Sequence, residues 1–454
     1  MRIIILCVLL ALTTVVKAEV RLADVFSSNM VLQQEQPIPV WGTAEKGETV
    51  TVRFSGKTQK VVADPEGHWM AELAPCRAAF KPQQLRVAGK RNAIVLNNIL
   101  VGEVWLASGQ SNMEYSMNNH PQYVKPQKGD PDFLLHAWEK ASNPHIRLLY
   151  IEKNVNCDTL PTQGWKMTDQ ASLKPFSAAA WFFAQMLQDS LQVPVGIIST
   201  SWGGTKIEEW TPGTGRRYAK MVEPMAPFAI RGFIWYQGES NLIDGDTDIY
   251  VSKMERLVNL WRQAWKNDSL PFYYVQISPL MYSQRKGDPV PKTWLDLPRF
   301  WDAQTACLKI PHTGMVVTTD IPERLNDIHP PYKWIVGERL ARLALHDTYG
   351  RKIAYSGPQL ASARIEGDQA ILEFSHAEDG LVTADGKDPD WFYVSQRNGS
   401  FAKANAVIDG TCVKVTLSPQ TQHPVVRFGY DEVAQPNLRN KAGLPAIPFE
   451  YRFE

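Results

Sequence analysis

The sequence predicts an α/β protein in which a parallel sheet with helices on its faces is flanked by two β-rich regions. Between residues 99 and 350, short apolar segments alternate with segments whose apolar residues recur at helical spacing. Residues 19–98 and 351–454 instead alternate apolar and polar residues between Gly-containing turns, which is typical of antiparallel strands. Alternation of strands and helices indicates a parallel sheet. We therefore expect one α/β domain over residues 99–350, between two β regions.

The two outer regions are predicted to be sandwich-like. Glu48–Phe54 alternates apolar and polar residues, and His68–Leu73 repeats that pattern after a turn. Near the C-terminus, Ala363–Phe374 is predicted to form a hairpin that turns at Gly367-Asp368.

The middle region contains five predicted strands and four predicted helices. The strands are Ile99–Ala107, Val195–Ser199, Ile230–Tyr236, Phe272–Ile277 and Met315–Thr319. The helices are Phe176–Leu191, Asp248–Trp265, Arg299–Leu308 and Tyr332–Tyr349.

Residues 1–18 are predicted to be a cleavable signal peptide. Arg2 precedes an apolar run, Ile3–Leu12, and small residues follow up to Ala18. A membrane anchor is the alternative, but the run is shorter than the roughly 20 residues that a span needs. The sequence therefore predicts a secreted or periplasmic protein with no membrane span after cleavage.

Charge and cysteine content exclude several classes of protein. The chain has 48 Lys and Arg against 47 Asp and Glu, so its net charge is +1 and gives no reason to expect nucleic-acid or anionic-lipid binding. The hydrophobic fraction of 44% is that of a folded globular protein. Outside the signal peptide, the cysteines lack the spacing of metal ligands, and we expect most of them to be buried free thiols: Cys76, Cys157, Cys307 and Cys412.

Residues suited to acyl transfer follow four of the predicted strands. Ser111 follows the first strand, Gly203-Gly204 the second, Asn241 the third and His329 the last. Ligands of parallel sheets bind beyond the carboxyl ends of the strands. A serine nucleophile needs a nearby base, and the oxyanion that it creates needs hydrogen-bond donors. Each residue also has a structural explanation, as a helix cap, a tight turn or a loop histidine, so their arrangement indicates the function rather than any one of them.

The motifs at these strand ends resemble those of the SGNH (GDSL-like) hydrolase superfamily, and within it the sialate O-acetylesterases. The similarity covers nearly the whole chain after residue 18. The motifs are Gly109-Gln110-Ser111-Asn112-Met113, Ser201-Trp202-Gly203-Gly204-Thr205, Trp235-Tyr236-Gln237-Gly238-Glu239-Ser240-Asn241 and Asp327-Ile328-His329-Pro330.

The resemblance implies a flavodoxin-like hydrolase core that uses no metal or cofactor. It implies Ser111 as the nucleophile and His329 as the base. It also implies an oxyanion hole formed by the Ser111 N–H, the Gly204 N–H and the Asn241 side chain. An unperturbed histidine titrates near ~6.5, so activity is expected to fall on acidification.

The third catalytic residue is left open by the sequence. The superfamily often places an aspartate three residues before the histidine, but that position is Asn326 here and Asp327 lies two before His329. Either Asp327 orients the imidazole or a backbone carbonyl does so in a Ser–His dyad. Asp320, at the preceding strand end, is a further candidate.

The sequence thus favours an exported carbohydrate O-acetylesterase that acts on O-acetylated sialic acid. An acetylxylan esterase or a related glycan deacetylase is the first alternative. A noncatalytic carbohydrate-binding protein is the second. Substrate choice is expected to depend on two loops, Tyr115–Ser142 and Ser283–Leu297.

Overall fold

The computed structural model describes residues 19–118, 125–417 and 423–454. The predicted signal peptide lies outside these ranges, as does part of the Tyr115–Ser142 loop. Within the described ranges, none of the helices has both the length and the apolar character that crossing a membrane requires.

The N-terminal region is rich in β-strands, as predicted, and they pair antiparallel except for Val31–Gln33, which runs parallel to Leu100–Gly102. Trp69, Ala71 and Leu73 are all buried on one face of their strand, which is the alternation that the sequence shows. One sheet has the order β1-β3-β6, and β4 pairs with both β5 and β7. The strands are β1 (Arg21–Leu22), β2 (Val31–Gln33), β3 (Ile38–Thr43), β4 (Thr49–Phe54), β5 (Lys57–Val62), β6 (His68–Leu73), β7 (Ala79–Ala88) and β8 (Ala93–Gly109).

The central region is a mixed sheet with helices on both faces. Its strand order is β10-β9-β11-β8-β12-β13-β14, in which β10 is antiparallel to β9 and the other neighbours are parallel. The strands are β9 (Asn143–Tyr150), β10 (Lys166–Thr168), β11 (Val195–Ser201), β12 (Gly232–Tyr236), β13 (Phe272–Val275) and β14 (Thr313–Val316). The α-helices are α1 (Ser111–Glu114), α2 (Phe133–Glu139), α3 (Gln170–Leu173), α4 (Ala178–Leu191), α5 (Glu239–Asp244), α6 (Tyr250–Ala264), α7 (Asp296–Ala306) and α8 (Lys333–Asp347). Short 3₁₀ segments are Ile207–Trp210, Glu223–Met225, Thr247–Ile249, Tyr282–Gln284 and Cys307–Lys309, and Tyr218–Val222 is a π-helical turn.

Two hydrophobic clusters cover the two faces of this sheet. Helices α4 and α8 pack together on one face, with Trp105 and Ala107 of β8 beneath them. Helices α6 and α7 pack on the other face, over Val104 and Leu106. Successive residues of β8 thus point to opposite faces, and both faces are apolar because both are covered.

Strand β8 joins the N-terminal region to the central sheet. Its first half pairs with β2 and β7, and the segment Glu103–Gly109 pairs in parallel with β11. The predicted domain boundary between residues 98 and 99 falls inside this strand. The N-terminal strands also share a hydrophobic cluster with one face of the central sheet. A separate N-terminal domain therefore stays a prediction.

The C-terminal region contains two antiparallel four-stranded sheets and a two-stranded ladder around a third hydrophobic cluster. The predicted hairpin at Gly367-Asp368 is confirmed, since the strands on either side of it pair antiparallel. The sheet orders are β15-β16-β21-β20, β19-β18-β22-β24 and β17-β23. The strands are β15 (Gln359–Glu366), β16 (Gln369–Ser375), β17 (Leu381–Thr383), β18 (Phe392–Ser395), β19 (Phe401–Lys403), β20 (Ala406–Asp409), β21 (Cys412–Thr416), β22 (Val425–Phe428), β23 (Leu438–Asn440) and β24 (Phe449–Arg452).

The four cysteines of the described residues are free thiols. Cys76 and Cys307 are buried, whereas Cys157 and Cys412 are partly exposed. The expectation of burial is thus correct for two of the four.

Candidate active site

Ser111 lies just beyond the carboxyl end of the central strand β8 and is the first residue of helix α1. The Gln110 N–H donates to the Tyr236 carbonyl at 3.0 Å, and the Trp202 N–H donates to the Gly109 carbonyl at 3.1 Å. Gly109 has φ +141°, and a Cβ there would lie 2.1 Å from the Tyr236 carbonyl oxygen. Only glycine therefore allows the chain to turn between its two neighbouring strands and present Ser111.

The Gly203-Gly204 loop lies directly against Ser111. A Cβ added at Gly203 would lie 3.3 Å from the Ser111 Cβ and 3.2 Å from Oε2 of Glu114. The Gly203 N–H donates to the Glu114 carboxylate. Gly204 has φ +73° and open space around its Cβ position, so glycine is needed there for its backbone conformation.

The segment that contains His329 is bonded to the residue after Ser111. Asn112 Nδ2 donates to the Ile328 carbonyl at 3.0 Å. The structure therefore brings the first and last of the sequence motifs together, as the parallel sheet predicts.

Burial keeps the His329 imidazole neutral. The side chain is 19% exposed. Burial, together with the charge of Lys333, lowers the pKa of His329 from 6.5 to about 4, although the charges of Asp327 and Glu114 oppose the shift. A neutral imidazole is the form that can accept a proton from a serine hydroxyl.

Asp327 lies near His329 without a hydrogen bond between the two side chains. Asp327 Oδ1 is 3.8 Å from His329 Nδ1, which exceeds hydrogen-bond distance. The same oxygen accepts the His329 backbone N–H at 2.9 Å. Asp327 therefore shapes the local turn and acts on the imidazole through its charge.

Asp320 is bonded elsewhere. Its two carboxylate oxygens accept from Arg339 at 2.7 Å each, and Arg439 lies 3.1 Å away. Burial would raise the pKa of Asp320, but the Arg339 guanidinium outweighs it and lowers that pKa. These contacts give Asp320 a structural role, and none of them involves His329.

The Asn241 amide is fully buried and bonded on both sides. Its Nδ2 donates to Glu208 at 3.1 Å and to Asp246 at 2.8 Å. Its Oδ1 accepts from the Ile207 N–H and from Gln237 Nε2, which fixes the orientation of the amide. Both hydrogens of the Asn241 amide are thus donated to carboxylates. The predicted role of Asn241 requires one of these bonds to be exchanged for the oxyanion.

Sequence analysis did not identify two buried charged residues at this site, Lys333 and Glu239. Glu239 lies within one of the motifs, and Lys333 follows His329 by four residues. Both are almost fully inaccessible to solvent. The short separation between Lys333 and the motif histidine was the one signal in the sequence that pointed to this lysine. Its burial could not be predicted, because a single lysine at the start of a helix is usually exposed.

A cavity of ≈ 700 Å³ lies beside the edge strand β10 and its neighbour β9. Its polar and aromatic lining includes Tyr150, Glu152, Gln163, Lys166 and Asp169. Ser111 and His329 do not line it. The charge of Glu114, which contacts the Gly203 loop, acts on the Tyr150 phenol, so this cavity adjoins the candidate site.

Comparisons with known proteins identify the family to which the chain belongs. A family model described as "Carbohydrate esterase, sialic acid-specific acetylesterase" matches residues 101–346, which is more than half of the chain. The sialate O-acetylesterase of Homo sapiens is 27% identical over 416 residues, covering 78% of this chain and 76% of that protein. The Mus musculus enzyme is 26% identical over 436 residues, covering 79% of each.

A solved structure extends the similarity to nearly the whole chain. The crystal structure of a carbohydrate acetylesterase from Xanthomonas citri is 32% identical, with a TM-score of 0.84, and covers 95% of this chain and 99% of its own. These proteins are ester hydrolases by name, which sets aside the hypothesis of a noncatalytic carbohydrate-binding protein. The chain belongs to the carbohydrate esterase family of sialic acid-specific acetylesterases, and it is an esterase of the hydrolase class.

Proposed function

We propose that this protein removes O-acetyl groups from sialic acids through an acetyl-enzyme formed on Ser111. The observation on which the proposal rests is the position of Ser111. It lies at the carboxyl end of the central strand, against Gly203, and the next residue bonds to the chain beside His329.

The reaction has two steps. Ser111 Oγ attacks the acetyl carbonyl carbon while His329 accepts the hydroxyl proton. The imidazolium then returns that proton to the departing sugar oxygen. Water, deprotonated by His329, attacks the acetyl-enzyme, and acetate leaves as Ser111 recovers its proton.

Backbone donors are proposed to stabilise the tetrahedral oxyanion. The Ser111 N–H belongs to the first residue of helix α1, and the Gly204 N–H belongs to the loop that lies against Ser111. Asn241 is the predicted third donor and would have to release Glu208 or Asp246. Asp327 is proposed as the negative charge that stabilises the imidazolium at 3.8 Å.

The sialic acid substrate is supported by the matched family and by the name of the human relative. The carboxylate of sialic acid distinguishes it from neutral xylan. Arg217 lies with Cζ 4.4 Å from the Trp202 ring centroid, and Trp202 directly precedes the Gly203 loop. Arg217 is half-buried and is also paired with Glu209. We propose it as the cation that attracts the substrate carboxylate.

An acetylated glycan other than sialic acid is the second candidate. The Xanthomonas citri neighbour is titled only as a carbohydrate acetylesterase, and the polar cavity beside β9 and β10 suits a neutral sugar as well. The proposal also includes export of the protein to the periplasm or the cell exterior, on the basis of the signal-like residues 1–18.

The test is an acetate-release comparison between O-acetylated sialoglycans of mucin type and acetylated xylan, with Ser111→Ala as the control. We expect higher kcat/KM on the sialoglycan and loss of release from both substrates in the variant. Faster release from xylan would replace the proposed substrate with the second candidate. Ordinary turnover by Ser111→Ala would overturn the mechanism.

A further inference from the structure

A buried lysine contacts the chain next to the catalytic histidine. Lys333 is the first residue of α8 and is fully inaccessible to solvent. Its Nζ donates to the Pro330 carbonyl at 2.6 Å and to Asn112 Oδ1 at 2.8 Å. The ammonium also lies 4.6 Å from the Tyr115 ring centroid. Its bonds therefore connect the histidine segment with the helix that begins at Ser111.

Asn112 continues these connections from the other side. Its Nδ2 donates to Glu239 Oε1 at 2.5 Å and to the Ile328 carbonyl at 3.0 Å. Asn112 and Glu239 are both buried. Together the three side chains form the Lys333–Asn112–Glu239 network.

The network bonds to the backbone on both sides of His329. Asn112 binds the carbonyl of the preceding residue, Ile328, and Lys333 binds the carbonyl of the following residue, Pro330. Because Asn112 directly follows Ser111, the same side chains fix the nucleophile segment and the base segment relative to each other.

Simple stabilisation does not explain such a costly arrangement. Removing an ionisable side chain from water carries a desolvation cost that its partners repay only when the geometry is excellent, and apolar residues of similar size often stabilise as well or better. A cation at the first position of a helix also faces the positive end of the helix dipole. In keeping with this cost, burial lowers the pKa of Lys333 to about 7 against the opposing charges of Glu239 and Asp327. Burial likewise raises the pKa of Glu239.

We propose that Lys333, Asn112 and Glu239 are positioning residues that hold the His329 imidazole in register with Ser111 during acyl transfer. This inference rests on the proposed roles of Ser111 and His329. A displacement of about 1 Å between reacting groups can cost about 10²-fold in rate, so bonds that fix two backbone segments can control turnover without touching the substrate.

The first test is Lys333→Met, assayed by acetate release from a small aryl acetate. We expect kcat to fall about 10- to 100-fold while KM changes by less than about threefold, because ground-state binding does not use the network. We also expect the acid limb of kcat/KM to move to higher pH. The charge of Lys333 lowers the pKa of His329, and Asp327 and Glu114, the other charges that act on the imidazole, raise it.

Arg262→Met is the matched control. Arg262 is another buried cation on a helix, and it also donates to two main-chain carbonyls, those of Leu270 and His312. These carbonyls precede β13 and β14, so Arg262 lies at the amino ends of the strands, whereas Ser111 lies at a carboxyl end. We expect this variant to lower Tm without changing kcat or the acid limb.

Two further variants keep the test decisive if Lys333→Met does not fold. Asn112→Asp preserves volume but removes the donor to Ile328 and Glu239, and we expect it to lower kcat. Glu239→Gln keeps an oxygen acceptor for Asn112 and should retain most of kcat, whereas Glu239→Ala should not. Near-native kcat and an unmoved acid limb in folded Lys333→Met or Asn112→Asp would overturn the proposal.

The Ser111→Ala variant separates this inference from the proposed function. If Ser111→Ala is inactive while Lys333→Met and Asn112→Asp keep near-native kcat, only the positioning role is wrong. If Ser111→Ala retains turnover, the proposed mechanism is wrong and the positioning role falls with it.

Discussion

The acid limb of the pH profile tests whether His329 is the general base in the environment that the structure gives it. A base acts only when it is neutral, so kcat/KM should follow the neutral fraction of His329 in the free enzyme. The sequence alone predicts a fall near ~6.5, the ordinary pKa of histidine. The structure predicts a fall near about 4, because burial and the charge of Lys333 disfavour the imidazolium.

The two expectations differ strongly at pH 5. With a pKa of about 4, about 90% of His329 is neutral there, whereas with ~6.5 only about 3% is neutral. The shift corresponds to about 3 kcal/mol of disfavoured protonation at about 1.36 kcal/mol per pKa unit. We therefore expect kcat/KM at pH 5 to stay within about twofold of its value at pH 7.

The same shift predicts how stability depends on pH. Unfolding exposes His329, which then binds a proton near ~6.5, while the folded state resists protonation down to about 4. The unfolded state binds more protons across that window. The free energy of unfolding should therefore fall as pH decreases from ~6.5 to about 4, and be unaffected by His329 above ~6.5.

The assay is initial-rate acetate release from a neutral aryl acetate between pH 4 and 8, with acetate quantified by chromatography. Far-UV circular dichroism at each pH establishes that the protein is folded. A half-maximal kcat/KM near pH 6.5 in a folded protein would refute the argument from burial. A limb that stays at the same pH in Lys333→Met would refute the charge contribution of that lysine.

The remaining predictions concern individual side chains of the site. Ser111→Ala should lower kcat by several orders of magnitude with an unchanged Tm, and ordinary turnover would exclude it as the nucleophile. Asn241→Ala should lower kcat by roughly 10²–10³-fold with little change in KM if its amide reaches the oxyanion, whereas a lower Tm at unchanged kcat would limit it to binding carboxylates. Arg217→Met should raise KM for O-acetylated sialic acid and not for acetylated xylan, and equal effects on both would remove its proposed role. Asp327→Asn should lower kcat by orders of magnitude if its carboxylate stabilises the imidazolium, and less than about tenfold if the site is a dyad. Asp320→Asn should lower Tm with little effect on kcat, and a large loss of kcat in this variant alone would assign the third catalytic role to Asp320 instead of Asp327.

Much of the fold follows from local patterns in the sequence. The helix predicted over Asp248–Trp265 is observed as Tyr250–Ala264, because its apolar stripe is buried against the sheet. The strand β9 was not predicted. Arg147 interrupts its apolar run, and this arginine is buried, where it donates to the Pro144 and Asn29 carbonyls and to Asn98 Oδ1. A buried cation with main-chain partners cannot be distinguished from a surface charge by periodicity.

The length of β8 shows a second limit of local patterns. Its polar–apolar alternation up to residue 98 and its apolar run from Ile99 look like two different strands in the sequence. They are one strand whose environment changes along its length. The first part has an exposed face, and the second is covered on both faces. A change of pattern thus marked a change of burial rather than a break in the chain's regular structure.

Of the two aspartates that could orient the histidine, only tertiary contacts distinguish one from the other. Each lies near His329 in sequence, and each follows the carboxyl end of a strand of the parallel sheet. Asp320 is compensated by Arg339 from α8 and by Arg439 from the C-terminal region, which lies more than 100 residues further along the chain. No local pattern could reveal that second contact. Asp327 helps to form the local turn and lies 3.8 Å from the imidazole, so of the two aspartates it is the one whose negative charge acts on His329. For His329 as the proposed base, burial disfavours protonation most, the buried ammonium of Lys333 adds to that effect, and the carboxylates of Asp327 and Glu114 oppose it. This tertiary environment, rather than a motif spacing, sets the pH at which the imidazole becomes charged.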